Sequence, residues 1–255
     1  MRPTLAIASG KGGVGKNTVT LNLALGLTSL GLRVGVFDAD LYGPDVPYLL
    51  GIRRKTTVLG GVPIARRESE PYIKPVERLG LSVMSVGFLV ADADAVLSDP
   101  RAAGAIVRQT FADVDWGEAD VLLLDLPPGT GEPQQTLIAG GLIDAALIVT
   151  TPQDLSWLDG GRSLSLFREH NLPVLGLIDN MSFLECPHCG ERIELATRKD
   201  DDWPLASLER LGAFPFEVGT ATALADHDAP AARCAAREAA ARPIADWVRA
   251  FERQN

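Results

Sequence analysis

A chain of 255 residues, 46% hydrophobic and 22% charged, is long enough to bury the core of one α/β domain and shows no composition break that would divide it. The formal charge of −9, with no local basic patch to override it, disfavours nucleic acid or an anionic membrane as a partner. No apolar run reaches the roughly 18 residues of a membrane span and a strand begins by Thr4, so a soluble, cytoplasmic protein without a signal peptide is expected. Short apolar runs at residues 5–8, 34–37, 81–86, 121–126, 145–150 and 174–178 read as buried strands. Helical spacing or helix-forming residues occupy 18–29, 100–111, 132–139 and 156–169. Between them, 51–80 is irregular, with Pro63, Pro71 and Pro75, and is expected to be a surface excursion. Strand and helix thus alternate, which predicts an α/β fold: a doubly wound, mostly parallel sheet with helices on both faces, binding its ligand at the carboxyl ends of the strands.

After an alanine-rich stretch at 229–242, Ile244, Trp247, Val248 and Phe251 share one helical face. Asp246 and Glu252 interrupt any basic stripe, so this segment is expected to dock on the core rather than on a membrane. The expected organisation is a single domain over 1–255, with a cysteine knuckle at about 183–192 and a C-terminal helical segment at about 229–253.

The first strand runs into Ser9-Gly10-Lys11-Gly12-Gly13-Val14-Gly15-Lys16-Asn17-Thr18 and then a helix. Four glycines let successive N–H groups turn inward around an anion, and the helix N-terminus adds positive partial charge. The spacing matches the phosphate-binding pattern G-x-x-x-x-G-K-[ST] except for Asn17 in its last position. Gly10, Lys11, Gly12, Gly13, Val14, Gly15, Lys16, Asn17 and Thr18 are therefore the expected nucleotide-binding residues, with Lys16 reaching the β and γ phosphates. A second lysine, Lys11, is not required by the general pattern.

Carboxylates follow at two strand ends. Asp38 and Asp40 close the second strand, and Asp125 closes the run at 121–126 ahead of Pro127-Pro128-Gly129-Thr130-Gly131. Phosphoryl transfer needs one carboxylate to orient the attacking water and others to hold Mg²⁺. Any one of these could be a helix cap or a solvated loop residue; three in this order behind a phosphate loop point to a site.

Cys186-Pro187-His188-Cys189 places two thiols in a tight knuckle, which in a cytoplasmic chain reads as metal or redox chemistry. Zinc tetrahedra and [4Fe–4S] clusters generally take four ligands, so one chain supplies half a site, and a two-fold dimer would complete it. A bridging cluster, structural Zn²⁺ and a redox disulfide all remain open at this point. Cys234, alone in the alanine-rich stretch, reads as a small buried side chain, His188 as a knuckle residue bonding backbone rather than a ligand, and His170 and His227 lack metal spacing.

Taken together, the glycine-lysine loop, Asp38-Ala39-Asp40-Leu41-Tyr42-Gly43-Pro44, Met84-Ser85-Val86-Gly87-Phe88, Asp125 to Gly131, Thr150-Thr151-Pro152-Gln153 and Asn180-Met181-Ser182 ahead of the cysteines resemble the Mrp-type (ApbC-like and Nbp-like) P-loop iron-sulfur cluster carrier ATPases. These sit within the deviant Walker A group that includes MinD and ParA. The resemblance covers most of residues 4–190 and thins toward Leu211-Gly212-Ala213-Phe214-Pro215-Phe216, where such proteins have a last strand. It implies an ATP hydrolase acting as a homodimer, in which Lys11 reaches across to the partner's nucleotide. It also implies catalytic roles for Lys11, Lys16 and Asp40, with Asp40 acting on the water. Mg²⁺ would be held by a shell drawn from Asn17, Asp38, Asp40 and Asp125, and Asn180 would contact adenine. A labile [4Fe–4S] cluster would bridge Cys186 and Cys189 of two subunits and pass to apo iron-sulfur proteins, with Zn²⁺ the competing metal.

The chain departs from that pattern at three places. Asn17 replaces a compact hydroxyl ligand where Mg²⁺ tolerates little deviation from octahedral geometry at about 2.0–2.1 Å, so hydrolysis is expected to be slow. Thr18, turned about 100° around the helix, cannot stand in and is better placed for the α phosphate. Residues 97–101 read Leu-Ser-Asp-Pro-Arg in place of a Trp-Arg-Gly-Pro element, and Glu132 replaces an aspartate. The competing reading is a MinD- or ParA-like positioning or regulatory switch; the cysteine knuckle favours the carrier.

Overall fold

In the computed structural model the residues described are 2–41, 43–52, 64–67, 70–89, 100–186, 188–195, 203–216 and 237–254. The strands are β1 (Thr4–Ala8), β2 (Val34–Asp38), β3 (Ile64–Arg67), β4 (Glu70–Ile73), β5 (Val76–Arg78), β6 (Leu81–Ser85), β7 (Val121–Asp125), β8 (Ala145–Thr150), β9 (Val174–Glu185), β10 (Arg192–Glu194) and β11 (Arg210–Pro215). The helices are α1 (Lys16–Ser29), α2 (Val46–Leu49), α3 (Pro100–Asp113), α4 (Glu132–Ala139), α5 (Asp154–Glu169) and α6 (Arg237–Gln254).

Nine strands form one sheet in the order β10-β9-β8-β1-β7-β2-β6-β5, with β11 also pairing with β9. The pairs from β6 through β9, and β9 with β11, are parallel; β5 and β10 add antiparallel edges. Side-chain alternation along β1 separates two cores. Leu5 and Ile7 face α1 and α6 through Val19, Leu23, Leu27, Ile244 and Val248, whereas Ala6 and Ala8 face α3, α4 and α5 through Val107, Leu137, Trp157, Leu164 and Phe167. Helices therefore cover both faces, as the alternation of elements requires. Among the described residues no helix is long and apolar enough to cross a membrane.

The C-terminal segment docks as its apolar face predicts: Ile244 and Val248 are fully buried against α1. Its described helix begins at Arg237, so 229–236 lie outside the described residues, as do Cys234, His227 and residues 97–99 of the divergent element. Two expectations need correction. Part of the supposed irregular excursion is paired: β3 with β4, and β5 with β6 through a two-residue turn in which Leu79 and Gly80 both have positive φ, the geometry of a tight hairpin. And β9 does not stop at Ile178. It continues to Glu185, placing Asn180 and the approach to the cysteines on a single strand.

Candidate functional site

Helix α1 begins at Lys16 behind Gly15, whose φ of +78° is a left-handed conformation that glycine adopts freely. No side chain caps this end and its first turn carries no acidic residue, so its N–H groups face a cavity without an internal anion. That cavity measures about 470 Å³ and is lined by residues 11–18 together with Asp40, Asp45, Tyr48 and Pro128. It opens at the carboxyl ends of β1, β2 and β7, where the doubly wound order predicts a ligand. The floor of the loop is fixed by α5: a Cβ on Gly10 would lie 2.0 Å from the Asp159 carbonyl carbon.

Behind the cavity lies a buried charge cluster. Lys16 Nζ is 2.5 Å from Asp125 Oδ2 and donates to Asn17 Oδ1 at 2.8 Å, with Lys16 and Asp125 only 5% and 0% exposed. Thr20 Oγ1 donates to the other Asp125 oxygen at 2.5 Å. Asp38, equally buried, accepts from Ser85 Oγ at 3.0 Å and from the Asp40 N–H at 3.2 Å. Burial pushes the Asp38 carboxyl well above the ordinary carboxylate range, and neighbouring Asp125 adds to the shift against the pull of Lys16. Asp125 is also raised by burial, with Lys16 and Thr20 opposing.

These placements sort the expected site residues. Asp40 and Asn17 line the cavity, whereas Asp38 and Asp125 stand behind it. Asp40 Oδ1 accepts from Gly43 N–H at 3.2 Å, which ties the carboxylate to the following loop. Among the described residues no three His, Cys, Asp or Glu side chains converge on a metal-sized centre. A hard-oxygen set of this kind suits Mg²⁺ that draws its other ligands from phosphate and water, so the residues fit that ion as a companion of bound nucleotide. Lys11 Nζ donates to Gln153 Oε1 of its own chain at 3.0 Å. Asn180 is 5% exposed and donates through Nδ2 to the Val14 carbonyl at 2.8 Å, so its amide lies against the phosphate loop.

Three participants escaped the sequence reading. Thr20 lies one turn beyond Lys16 and so shares its helix face, a signal the i, i+4 spacing offered. Ser85 and Gln153 gain partners only through the register of β6 beside β2 and the meeting of α5 with the loop, which spacing does not reveal.

The cysteine pair lies past the end of β9. Cys186 N–H donates to the Glu191 carbonyl at 2.9 Å and Gly190 N–H returns to the Cys186 carbonyl at 2.8 Å, closing a tight turn before β10. Backbone N–H groups of Cys189 and His188 point at the Cys186 sulfur and hold its thiol below the usual range. His188 thus enters through its own backbone N–H. Cys186 is half-buried, Cys189 is exposed, and both are free. Arg192 stacks over the Phe183 ring at 3.7 Å and braces the hairpin.

The profile of the ParA family, described as NUBPL iron-transfer P-loop NTPase, matches residues 1–250. An iron-sulfur cluster carrier protein of Methanocaldococcus jannaschii is 40% identical over 219 residues, covering 84% of this chain and 72% of its own. An iron-sulfur protein of Arabidopsis thaliana, mitochondrial and required for NADH dehydrogenase, is 40% identical over 222 residues, or 86% and 68% of the two chains. Among solved structures, a nucleotide-binding protein of Archaeoglobus fulgidus in complex with ADP superposes with a TM-score of 0.67 at 30% identity, covering 94% of this chain and 87% of that one. MinD of Pyrococcus horikoshii with Mg-ADP, at 20% identity and a TM-score of 0.64 over 99% and 96% of the chains, shares the fold. With its phosphate loop, doubly wound sheet and paired cysteines, the chain belongs to the ParA-type, NUBPL iron-transfer family of P-loop NTPases.

Proposed function

We propose that this protein is an ATP-hydrolysing iron-sulfur cluster carrier, a cytoplasmic homodimer that binds a [4Fe–4S] cluster as cargo and passes it to apo iron-sulfur proteins. The observation that carries the reading is the coexistence on one sheet of an uncapped phosphate loop over a cavity of about 470 Å³ and a two-thiol knuckle whose backbone donors favour the thiolate. Relatives at 40% identity named as cluster carriers support the cargo. The net charge of −9 supports a protein partner over nucleic acid or membrane. The whole of 1–255 acts as one domain, with the knuckle at about 183–192 as its cargo end and a C-terminal helical segment at about 229–253.

Nucleotide sits in the loop formed by Gly10, Lys11, Gly12, Gly13, Val14, Gly15, Lys16, Asn17 and Thr18. Its anionic phosphates draw Lys16 out of its pairing with Asp125. Asp40, held by Gly43 N–H, orients the water that attacks the γ phosphorus as the bond to ADP breaks. Lys11 leaves Gln153 to reach the partner subunit's nucleotide. Asn180 exchanges its bond to the Val14 carbonyl for the adenine edge. Mg²⁺ would be held from the cavity by Asn17 and Asp40, with Asp38 and Asp125 behind them acting through water, and would neutralise phosphate charge when bound. Asn17 makes that shell poor, and hydrolysis slow.

Anaerobic reconstitution with iron and sulfide, followed by incubation with an apo iron-sulfur enzyme, tests the reading. A visible absorbance band of a [4Fe–4S] cluster that is lost as the recipient gains activity is expected. Recovery of zinc alone, or a cluster the recipient never acquires, overturns it.

A further inference from the structure

The two sites meet on one strand. Along β9, Ala213 of β11 pairs with Asp179 and Pro215 pairs with Phe183, so two steps on β11 match four on β9, and Asn180–Ser182 form a bulge. At its centre Met181 has a φ of +53°, a left-handed conformation that a long side chain rarely adopts. On the near side the bulge is tied to the phosphate loop. Asn180 donates to the Val14 carbonyl at 2.8 Å, and a Cβ placed on Gly15 would lie 2.3 Å from Asn180 Nδ2 and 3.3 Å from Met181 Cε. A nucleotide that shifts the loop at Gly15 therefore presses first on the ends of these two side chains. On the far side the strand is fixed to the cargo end: Leu195 N–H donates to the Ser182 carbonyl at 3.0 Å, Phe216 N–H to the Phe183 carbonyl at 2.7 Å, and Cys186 closes the knuckle.

We infer that Met181 is a positioning residue through which an adenine nucleotide in the phosphate loop resets the geometry of the Cys186 and Cys189 thiols within a single subunit. This rests on the reading of loop and knuckle as nucleotide and cargo sites, but it needs neither a bound cluster nor a second subunit. A residue in a sparsely populated backbone region stays there only while its surroundings hold it, so a change at either tie shifts Met181 between a held and a relaxed arrangement. Glycine at this position accepts either arrangement without preference and breaks the link. Asparagine, which tolerates the left-handed region, preserves it.

The test is peptide-resolved alkylation by iodoacetamide of the reduced, metal-free, full-length protein, with and without saturating ADP, at a concentration where sedimentation shows monomer. Added free glutathione serves as the reference thiol. In the wild type ADP is expected to change the Cys186 rate by about fivefold or more, the lower end of ordinary coupling between sites. Met181→Gly should bind ADP within about twofold of wild type by calorimetry yet lose the response, Met181→Asn should keep it, and Asn180→Ala should lose it at saturating ADP. A wild type whose Cys186 rate ignores ADP, or a Met181→Gly protein that responds as the wild type does, overturns the inference. Failure of iron and sulfide to build a cluster would count against the carrier function and leave this result standing.

Discussion

Lys16 Nζ lies between Asp125 and Asn17, so the residue that replaces the usual hydroxyl also takes a share of the lysine. On the proposed reading, releasing Lys16 to phosphate costs two interactions, and the amide left behind would be a longer and flatter Mg²⁺ ligand than a hydroxyl. Asn17→Ser removes both handicaps, and steady-state hydrolysis at saturating Mg²⁺ should rise about tenfold, the effect of some 1.4 kcal/mol in the barrier. An unchanged rate would show that Asn17 is an adequate ligand. Asp38 presents the opposite problem, a carboxyl buried without a cation of its own and with its affinity for the proton raised by burial and by Asp125. A raised folded value means that its contribution to stability is fully present below the ordinary aspartate range, near pH 4, and is lost as pH climbs through the folded value. Asp38→Asn, which does not titrate, should therefore raise the unfolding midpoint by about 2–4 °C more at pH 8 than at pH 5, a difference of roughly 1 kcal/mol. Calorimetric melts at both values check it, and a gain of equal size at pH 5 would assign the effect to packing instead of charge.

Elements with a continuous apolar run were legible from the sequence: residues 145–150 are read at the observed bounds of β8, because burial on both faces of the sheet writes itself as an unbroken run of apolar residues. Legibility failed where partners, not composition, make the element. The run at 174–178 breaks at Asp179-Asn180, yet β9 continues because β10 and β11 hydrogen-bond its polar far end. The pairs β3–β4 and β5–β6 hide behind Pro71 and Pro75, whose weak strand preference is outweighed by cross-strand bonding. In the site the loop and the strand-end carboxylates were readable from spacing, but the contacts of Ser85 and Asn180 were not, since each bonds a residue far away in sequence. Helix α6 was legible from its apolar face, and its docking is close: a Cβ on Gly26 of α1 would stand 2.9 Å from the Ala241 Cβ. Ile244 is fully buried in that contact, so Ile244→Ala should cost about 2–4 kcal/mol in urea-melt stability while leaving ADP affinity unchanged. A loss below about 0.5 kcal/mol would mean that α6 is not part of the cooperative core.

At the scale of the molecule the proposed cargo end is half a coordination sphere. Two free thiols occupy it, with Cys189 exposed, and no third metal-ligating side chain joins them among the described residues. A [4Fe–4S] cluster asks for four thiolates, which two copies of this chain related by a two-fold axis supply. On the proposed reading, the same axis would take Lys11 from Gln153 to the partner's phosphates, and nucleotide and cargo would draw on one assembly. Stoichiometry decides between this arrangement and a metal held by one chain. Reconstituted protein should contain four iron atoms per two chains and sediment as a dimer, in keeping with the cluster's four-ligand requirement. Either Cys186→Ala or Cys189→Ala should abolish the iron completely, because a bridging cluster that loses one residue type loses two ligands at once by symmetry. Cys234→Ala should retain it. Lys11→Ala should keep the cluster while weakening the stimulation of dimer formation by ATP, measured by sedimentation at graded protein concentrations. One metal per monomer that survives removal of either knuckle cysteine would place the ligands elsewhere in the chain and end the case for a bridged site.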